Sequence, residues 1–338
     1  MLKSEDGTPV SNAAVRHLLA RISGTLAPFS FLLLLCITLA ILSPNFGTRD
    51  NLKQIAVQAA VVAILACGQT AVIVSGNIDL SVGAVMAFSG VVAAQLMTQH
   101  SVPISVGVLA ACIAGTVLGA LNGLLTAYGR IPSFIVTLGM MGIARGAAGI
   151  VSHSISIGGL PSGFQVFGFG ELFGTADRDG IPYAIILMVL AAVGVHIALV
   201  RTRWGRTVYA MGGNKEAARL SGVNVTRSTV LVFALSGLMA GIASLVSVSR
   251  ASVATYDAGN GYELYAVAAT VVGGTSLFGG QGGIPGTIIG AFLIYTIRNG
   301  CDLKGYGPEY QSVIIGVVII LGVLYDRYGP GKKASRAD

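Results

Sequence analysis

The chain has 338 residues, of which 54% are apolar and only 10% charged, with a formal net charge of +7. Ordinary soluble domains carry roughly 25% charged residues, so there is too little polar surface here to cover a water-soluble globule, and the bilayer must be the solvent. The basic excess does not make a nucleic-acid surface, because no basic run is interleaved with aromatics; cytoplasmic membrane loops carry an excess of the same sign.

Residues 1–26 are rather polar and read as a cytoplasmic N-terminal segment. The first apolar block, Ala27 to Ser43, is followed by Pro44, Asn45 and Phe46 rather than by a small-residue cleavage pattern, so it reads as a retained span. Further blocks run Ile55 to Ser75, Leu80 to Met97, Val102 to Ala127, Ile131 to Val151, Ile181 to Val200 and Ser228 to Ser247. Several reach the ~20 residues that a helix needs to cross the hydrocarbon layer. Three later stretches, about Gly261 to Leu277, Ile284 to Ile297 and Tyr310 to Tyr325, are shorter or broken by glycine. The expected fold is an all-α membrane protein, a polytopic bundle of about ten transmembrane helices over 27–325, with a cytoplasmic tail at 326–338. With an inside N-terminus and ten spans, most of the 21 basic residues fall inside, including Arg130 and the group Arg201, Arg203, Arg206, Lys215, Arg219 and Arg227. The positive-inside rule then places both termini in the cytoplasm.

Many of the 47 glycines recur at four-residue spacing within spans: Gly115, Gly119, Gly123; Gly142, Gly146; Gly237, Gly241; Gly286, Gly290. Small residues at that spacing let helix backbones approach closely, which matters in lipid because apolar burial alone does not drive helices together. Two outside loops, Ser152 to Gly180 and Arg250 to Tyr262, are long enough to fold locally, and the first is rich in turn residues.

Catalytic and nucleotide-binding patterns are missing. The Gly331-Lys332 step has Asp326 where a P-loop needs its first glycine. There is no H-E-x-x-H, no G-x-S-x-G elbow and no carboxylate pair near a histidine. Cys36, Cys67, Cys112 and Cys301 lie singly, without metal-ligand spacing. The cluster Gly279-Gly280-Gln281-Gly282-Gly283-Ile284-Pro285-Gly286 lies between two membrane stretches and reads as a hinge or re-entrant turn, not a phosphate cradle. No cofactor is expected in this chain.

The hydrophilic segment with internal order is 201–227. Gly205 and the pair Gly212-Gly213 punctuate it, Asn214 is a candidate N-cap, and Lys215 to Ser221 can make two helical turns before Gly222 ends them. In the break between the blocks Ile55 to Ser75 and Leu80 to Met97, Asp79 asks for an explanation, because a carboxylate at helix centre could cost on the order of 3 kcal/mol. As N-cap of a helix beginning at Leu80 it would meet free N–H groups and the positive end of the dipole; contact with cargo is the alternative. Arg145 and Arg298 read as snorkelling or ion-paired. Gln69, Asn122 and Thr137, together with Asn77 beside Asp79, are candidates to line a passage.

The string Glu216-Ala217-Ala218, then three residues, then Gly222, resembles the EAA-x-x-x-G signature of permease subunits of ABC importers. The stretch Val74 to Gly83, with Asn77 in place of a glycine, resembles the GGIDLSVG segment of the ribose and simple-sugar branch. Asn122-Gly123, Ile131 to Gly139, Arg145-Gly146 and Gly273 to Gly280 are similar to the same branch, in order along residues 50–325. The resemblance implies a type II ABC importer-like architecture in a bacterial inner membrane and a path for a ribose-like monosaccharide or related small polyol. It also implies three partners: a separate cytoplasmic ABC ATPase, a periplasmic or extracellular substrate-binding protein, and a second permease copy or a paralogue. Gly213, Asn214, Glu216, Ala217, Ala218, Arg219 and Gly222 would form the joint with the ATPase. In it, Ala217 and Ala218 allow close packing, Gly222 allows the exit turn, and Glu216 and Arg219 make polar contacts. The competing reading is an ion-coupled secondary transporter, which should keep charged groups at mid-membrane; the spans here are nearly free of them.

Overall fold

A computed structural model of the chain describes residues 28–174 and 180–328. The N-terminal segment 1–26 and most of the tail 326–338 lie outside the described residues. Helices dominate: α1 (Pro28–Leu42), α2 (Arg49–Val74), α3 (Val82–Gln99), α4 (Ile104–Ala127) and α5 (Ser133–Val151) come first. A folded loop comes next, with a 3₁₀ turn at Ser162–Gln165, the single-turn α6 (Val166–Phe169) and a two-residue antiparallel pair, β1 (Glu171–Leu172) and β2 (Ile181–Pro182). Then come α7 (Tyr183–Arg201), α8 (Arg203–Gly213), α9 (Lys215–Leu220), α10 (Val225–Ala251), α11 (Tyr262–Val272), α12 (Ile284–Leu303) and α13 (Pro308–Tyr328). Proline sets several starts: Pro103, Pro132 and Pro182 hold extended backbone immediately before α4, α5 and α7. A residue with no N–H and a fixed φ is well placed where the first helical N–H groups have no partner anyway.

Among the described residues six helices, α2, α3, α4, α5, α7 and α10, are long and apolar enough to cross a membrane. Their burial differs sharply, which sets the layers. In α2 94% of the apolar window is inside the molecule, against 22% in α4 and 28% in α7. Helix α2 is therefore the hub, packed on α7, α10, α11 and α12. Leu109, Ile113, Val117 and Leu121 on α4, Val189, Leu190 and Val193 on α7, and Val317, Ile320 and Leu321 on α13 stand exposed. A continuous apolar surface of this kind fits hydrocarbon, not water.

Glycine rows make the closest helix contact. A methyl group added at Gly115 would stand 2.2 Å from the Gly237 carbonyl oxygen, and one added at Gly237 would stand 2.0 Å from the Gly115 oxygen. Gly119 meets the Phe233 oxygen and Gly241 meets the Ala111 oxygen in the same way, so α4 and α10 touch backbone to backbone. Gly286 and Gly290 of α12 do the same against Gly273 and Ala269. The expectation fails for Gly142 and Gly146, whose added methyl groups would meet nothing within 4 Å. Spacing alone does not show which way a helix face turns, and this face of α5 points outward.

Contacts define two ends. At one, Ile157 and Ala254 join the long loops, Ser249 links its hydroxyl to the Phe164 carbonyl and to Gly168 N–H, and Asn51 exchanges amide hydrogen bonds with Asn299. Lys53 of α2 pairs with Glu171 of the β1–β2 hairpin, and this ammonium holds the Glu171 carboxyl below the usual carboxylate range. Of the two readings open for the interior arginines, snorkelling or ion pairing, no ion pair is seen for either among the described residues. Arg145 donates to the carbonyls of Tyr256 (3.1 Å) and Ala258 (2.7 Å), while Arg298 lies over the rings of Tyr265 and Tyr295 and donates to Gln311. Carbonyls at the α10–α11 turn and the rings of two tyrosines take the place that a carboxylate would fill in an ion pair. The other end carries α8, α9 and the turns 75–81 and 273–283.

Candidate functional site

Segment 201–227 holds two helices where the sequence suggested one. Helix α8 is hidden in the sequence because Gly205, Gly212 and Gly213 read as loop punctuation, yet Gly205 packs against the Leu199 carbonyl, where an added methyl would lie 1.9 Å away. Thr202 caps α8 by accepting from Gly205 N–H. Helix α9 has the termini its sequence specifies. Asn214 caps its start, with Oδ1 accepting from Ala217 N–H at 2.9 Å. Its end is a Schellman turn: Val223 N–H donates to Ala218 O (3.1 Å) and Gly222 N–H to Arg219 O (3.0 Å), with Gly222 at φ +82°.

Helix α9 has a buried face and an open one. Ala218 is buried against its own chain, whereas Ala217, Glu216, Arg219 and Gly213 are exposed. Glu216 and Arg219 pair with each other at 2.6 Å on the surface. Leu220, which no sequence pattern singles out, is 79% exposed. The two-turn helix, capped at both ends, thus displays an alanine, an ion pair and a bare leucine on its open face.

The second polar cluster lies at the break between α2 and α3. Helix α3 starts at Val82 with Ser81 at its N-cap, so Asp79 is not the cap of a helix beginning at Leu80. Instead Asp79 reaches two residues forward. Its Oδ1 accepts from Ser81 N–H (2.9 Å) and Ser81 Oγ–H (2.6 Å), and its Oδ2 accepts from Ser236 of α10 (2.8 Å). Asn122 of α4 donates to Ser81 Oγ at 2.9 Å, and Thr137 of α5 stands 3.4 Å from the Ile78 carbonyl, while Ser133 Oγ accepts from Ile78 N–H. The break thus ties α3, α4, α5 and α10 together, and Asp79 is 2% exposed. The Asn77 side chain donates to the Ser75 carbonyl and hydroxyl, and its N–H to the Val72 carbonyl. Gln69 stands apart on α2, fully buried, with no hydrogen-bond partner for either amide atom. Ser81 and Ser236 were not foreseen, since a serine inside an apolar block gives no sign of which helix it will face.

Four free thiols are spread through the bundle, and among the described residues no group of three or more His, Cys, Asp or Glu is placed to hold a metal ion.

Residues 51–323, nearly the whole bundle, match the family of branched-chain amino acid transport system permease components. The chain belongs to this permease family. Its relatives include a ribose import permease of Escherichia coli K12, 42% identical over 87% of this chain and 91% of that one. A ribose import permease of Bacillus subtilis 168 is 42% identical over 89% and 92% of the two chains. A D-allose transport system permease of Escherichia coli K12 is 39% identical over 85% and 86%. No solved structure matches the permease. The match spans both the α8–α9 segment and the Asp79 break, so the two polar features of this permease lie within the shared region.

Proposed function

We propose that this permease is the membrane subunit of an ATP-driven importer for a monosaccharide of the ribose kind, with ATP hydrolysed by a separate subunit. The observation that carries the reading is α9: a short helix, capped by Asn214 and released by Gly222, held between two spans and open to a partner. An autonomous carrier has no use for such a helix. The sugar assignment rests on the relatives, whose names give ribose and D-allose as cargo.

In this reading α1 to α5, α7 and α10 to α13 each pass through the membrane, ten passes in all, and α11 with its adjoining turn makes the short one. The α8–α9 end faces the cytoplasm, where its basic residues belong, and the domain is of the type II importer kind. A binding protein delivers cargo at the opposite end, over the described parts of the loop, 152–174 and 180–182, and the cleft beside Arg145, His153 and Tyr256. A second permease copy, or a paralogue, packs on the outward glycine face of α5 around Gly142 and Gly146, the row that no helix among the described residues covers. Glu216, Ala217, Arg219 and Leu220 contact the ATPase, with Gly213 and Gly222 allowing the turns on either side. Gln69 and the free Oδ1 of Asn122 are polar groups available to the path.

Reconstitution tests the reading. Proteoliposomes holding the permease, its ATPase and the binding protein should accumulate ribose only with ATP inside. Accumulation by the permease alone on an ion gradient would overturn it.

A further inference from the structure

We propose that motion of α9 reaches the membrane helices through a side-chain-free joint at Gly212, with Tyr209 as its second tie. This rests on the reading of α9 as the ATPase contact. Gly212 lies in the last turn of α8, next to the Asn214 cap. A methyl group added there would stand 1.8 Å from the carbonyl oxygen of Val74, the last residue of α2, and 2.7 Å from Gly280 N. Gly280 N–H in turn donates to that same Val74 oxygen at 2.8 Å. One added at Gly279 would stand 2.7 Å from the Gly212 oxygen, and Tyr209 donates its hydroxyl to the Gly282 carbonyl at 2.8 Å.

Three backbones therefore meet at one point: the end of α8, the end of α2 and the 273–283 turn. Two of them run straight on into membrane helices. Val74 leads directly into the break where Asp79 fixes the start of α3. Gly282 leads through Gly283 into α12, which begins at Ile284. The glycine cluster at 279–283, read from sequence as a hinge or re-entrant turn, is here the socket for α8.

Side chains absorb small displacements by changing rotamer; backbone packed on backbone cannot, so a shift of α8 must carry the starts of α3 and α12 with it. The other end of α8 is held equally close by Gly205 on the end of α7. Helix α8 thus acts as a bar seated at both ends, and α9 is the handle. Gly212 and Tyr209 are positioning residues: they touch no cargo and no nucleotide.

The test uses the full complex of permease, ATPase and binding protein in proteoliposomes, reading ATPase association, ATP hydrolysis and solute delivered per ATP. In Gly212→Ala, association and hydrolysis persist while solute per ATP falls at least about tenfold, the scale of an overpacked contact. Tyr209→Phe, which keeps its shape and loses one hydrogen bond, lowers the ratio about fivefold. If Gly212→Ala does not assemble, Tyr209→Phe decides alone. The joint is refuted if Tyr209→Phe, or Gly212→Ala where it assembles, delivers as much solute per ATP as wild type. Wild-type complex in the same vesicles reports separately on the importer reading, which fails if ATP drives no uptake.

Discussion

Removing the Asp79 carboxylate tests how the α2–α3 break is held. In Asp79→Ala three donated hydrogen bonds are lost, two from Ser81 and one from Ser236. Ser81 Oγ still accepts from Asn122, but three donors lose their acceptor: Ser81 N–H, the Ser81 hydroxyl and the Ser236 hydroxyl. Each unpaired buried donor costs about 1–3 kcal/mol, which puts the loss at about 2–4 kcal/mol after partial relaxation. An opposing effect is relief from burying a carboxylate, but that gain is realised only where the partners are replaced by apolar groups as well. A double-mutant cycle separates the two. Ser236→Ala alone costs about 1 kcal/mol, and in Asp79→Ala/Ser236→Ala the losses are sub-additive by about 1 kcal/mol, because the second change removes a stranded donor. The assay is reversible unfolding of the purified chain in mixed micelles. An Asp79→Ala chain as stable as wild type, or strictly additive losses, would refute the role of Asp79 as a structural tie.

The same geometry sets other outcomes. Gly237→Ala places a methyl 2.0 Å from the Gly115 oxygen and should lower stability by about 1–3 kcal/mol in the same unfolding assay, whereas Gly142→Ala meets nothing and should leave the isolated chain unchanged. Gly222→Ala forces a side chain into φ +82° and should weaken co-purification of the ATPase through a cost of about 1 kcal/mol in the α9 exit turn. Leu220→Asp should reduce ATPase association without moving the unfolding midpoint, since Leu220 is 79% exposed in the chain. For the Lys53–Glu171 tie, the folded carboxyl is depressed, so its stabilisation is present at neutral pH and is lost as pH falls below the ordinary glutamate value of ~4.3 and through the folded one. The protection of the Gly168 to Leu172 amides, which is their exchange rate corrected for its intrinsic pH dependence, should fall over that acidic window and hold at neutral pH.

Composition and apolar block length were enough to set the solvent, the helical class and the position of the six described helices long and apolar enough to cross a membrane, because only a helix satisfies its own backbone in lipid. The caps of α9 were legible for a similar reason: Asn214 and Gly222 act on neighbours within a few residues. Tertiary structure decided which face each helix turns to which neighbour. It put α2 at the hub and α4 on the lipid side though both are equally apolar in sequence, mated Gly115 with Gly237, and left Gly142 open. It moved Asp79 from a local cap to a tie across α10, and set Gly212 against Val74 and Gly280, residues far apart in the chain. Local chemistry writes helix ends into the sequence, whereas the partner of a glycine or a serine in an apolar block is fixed only when the helices pack.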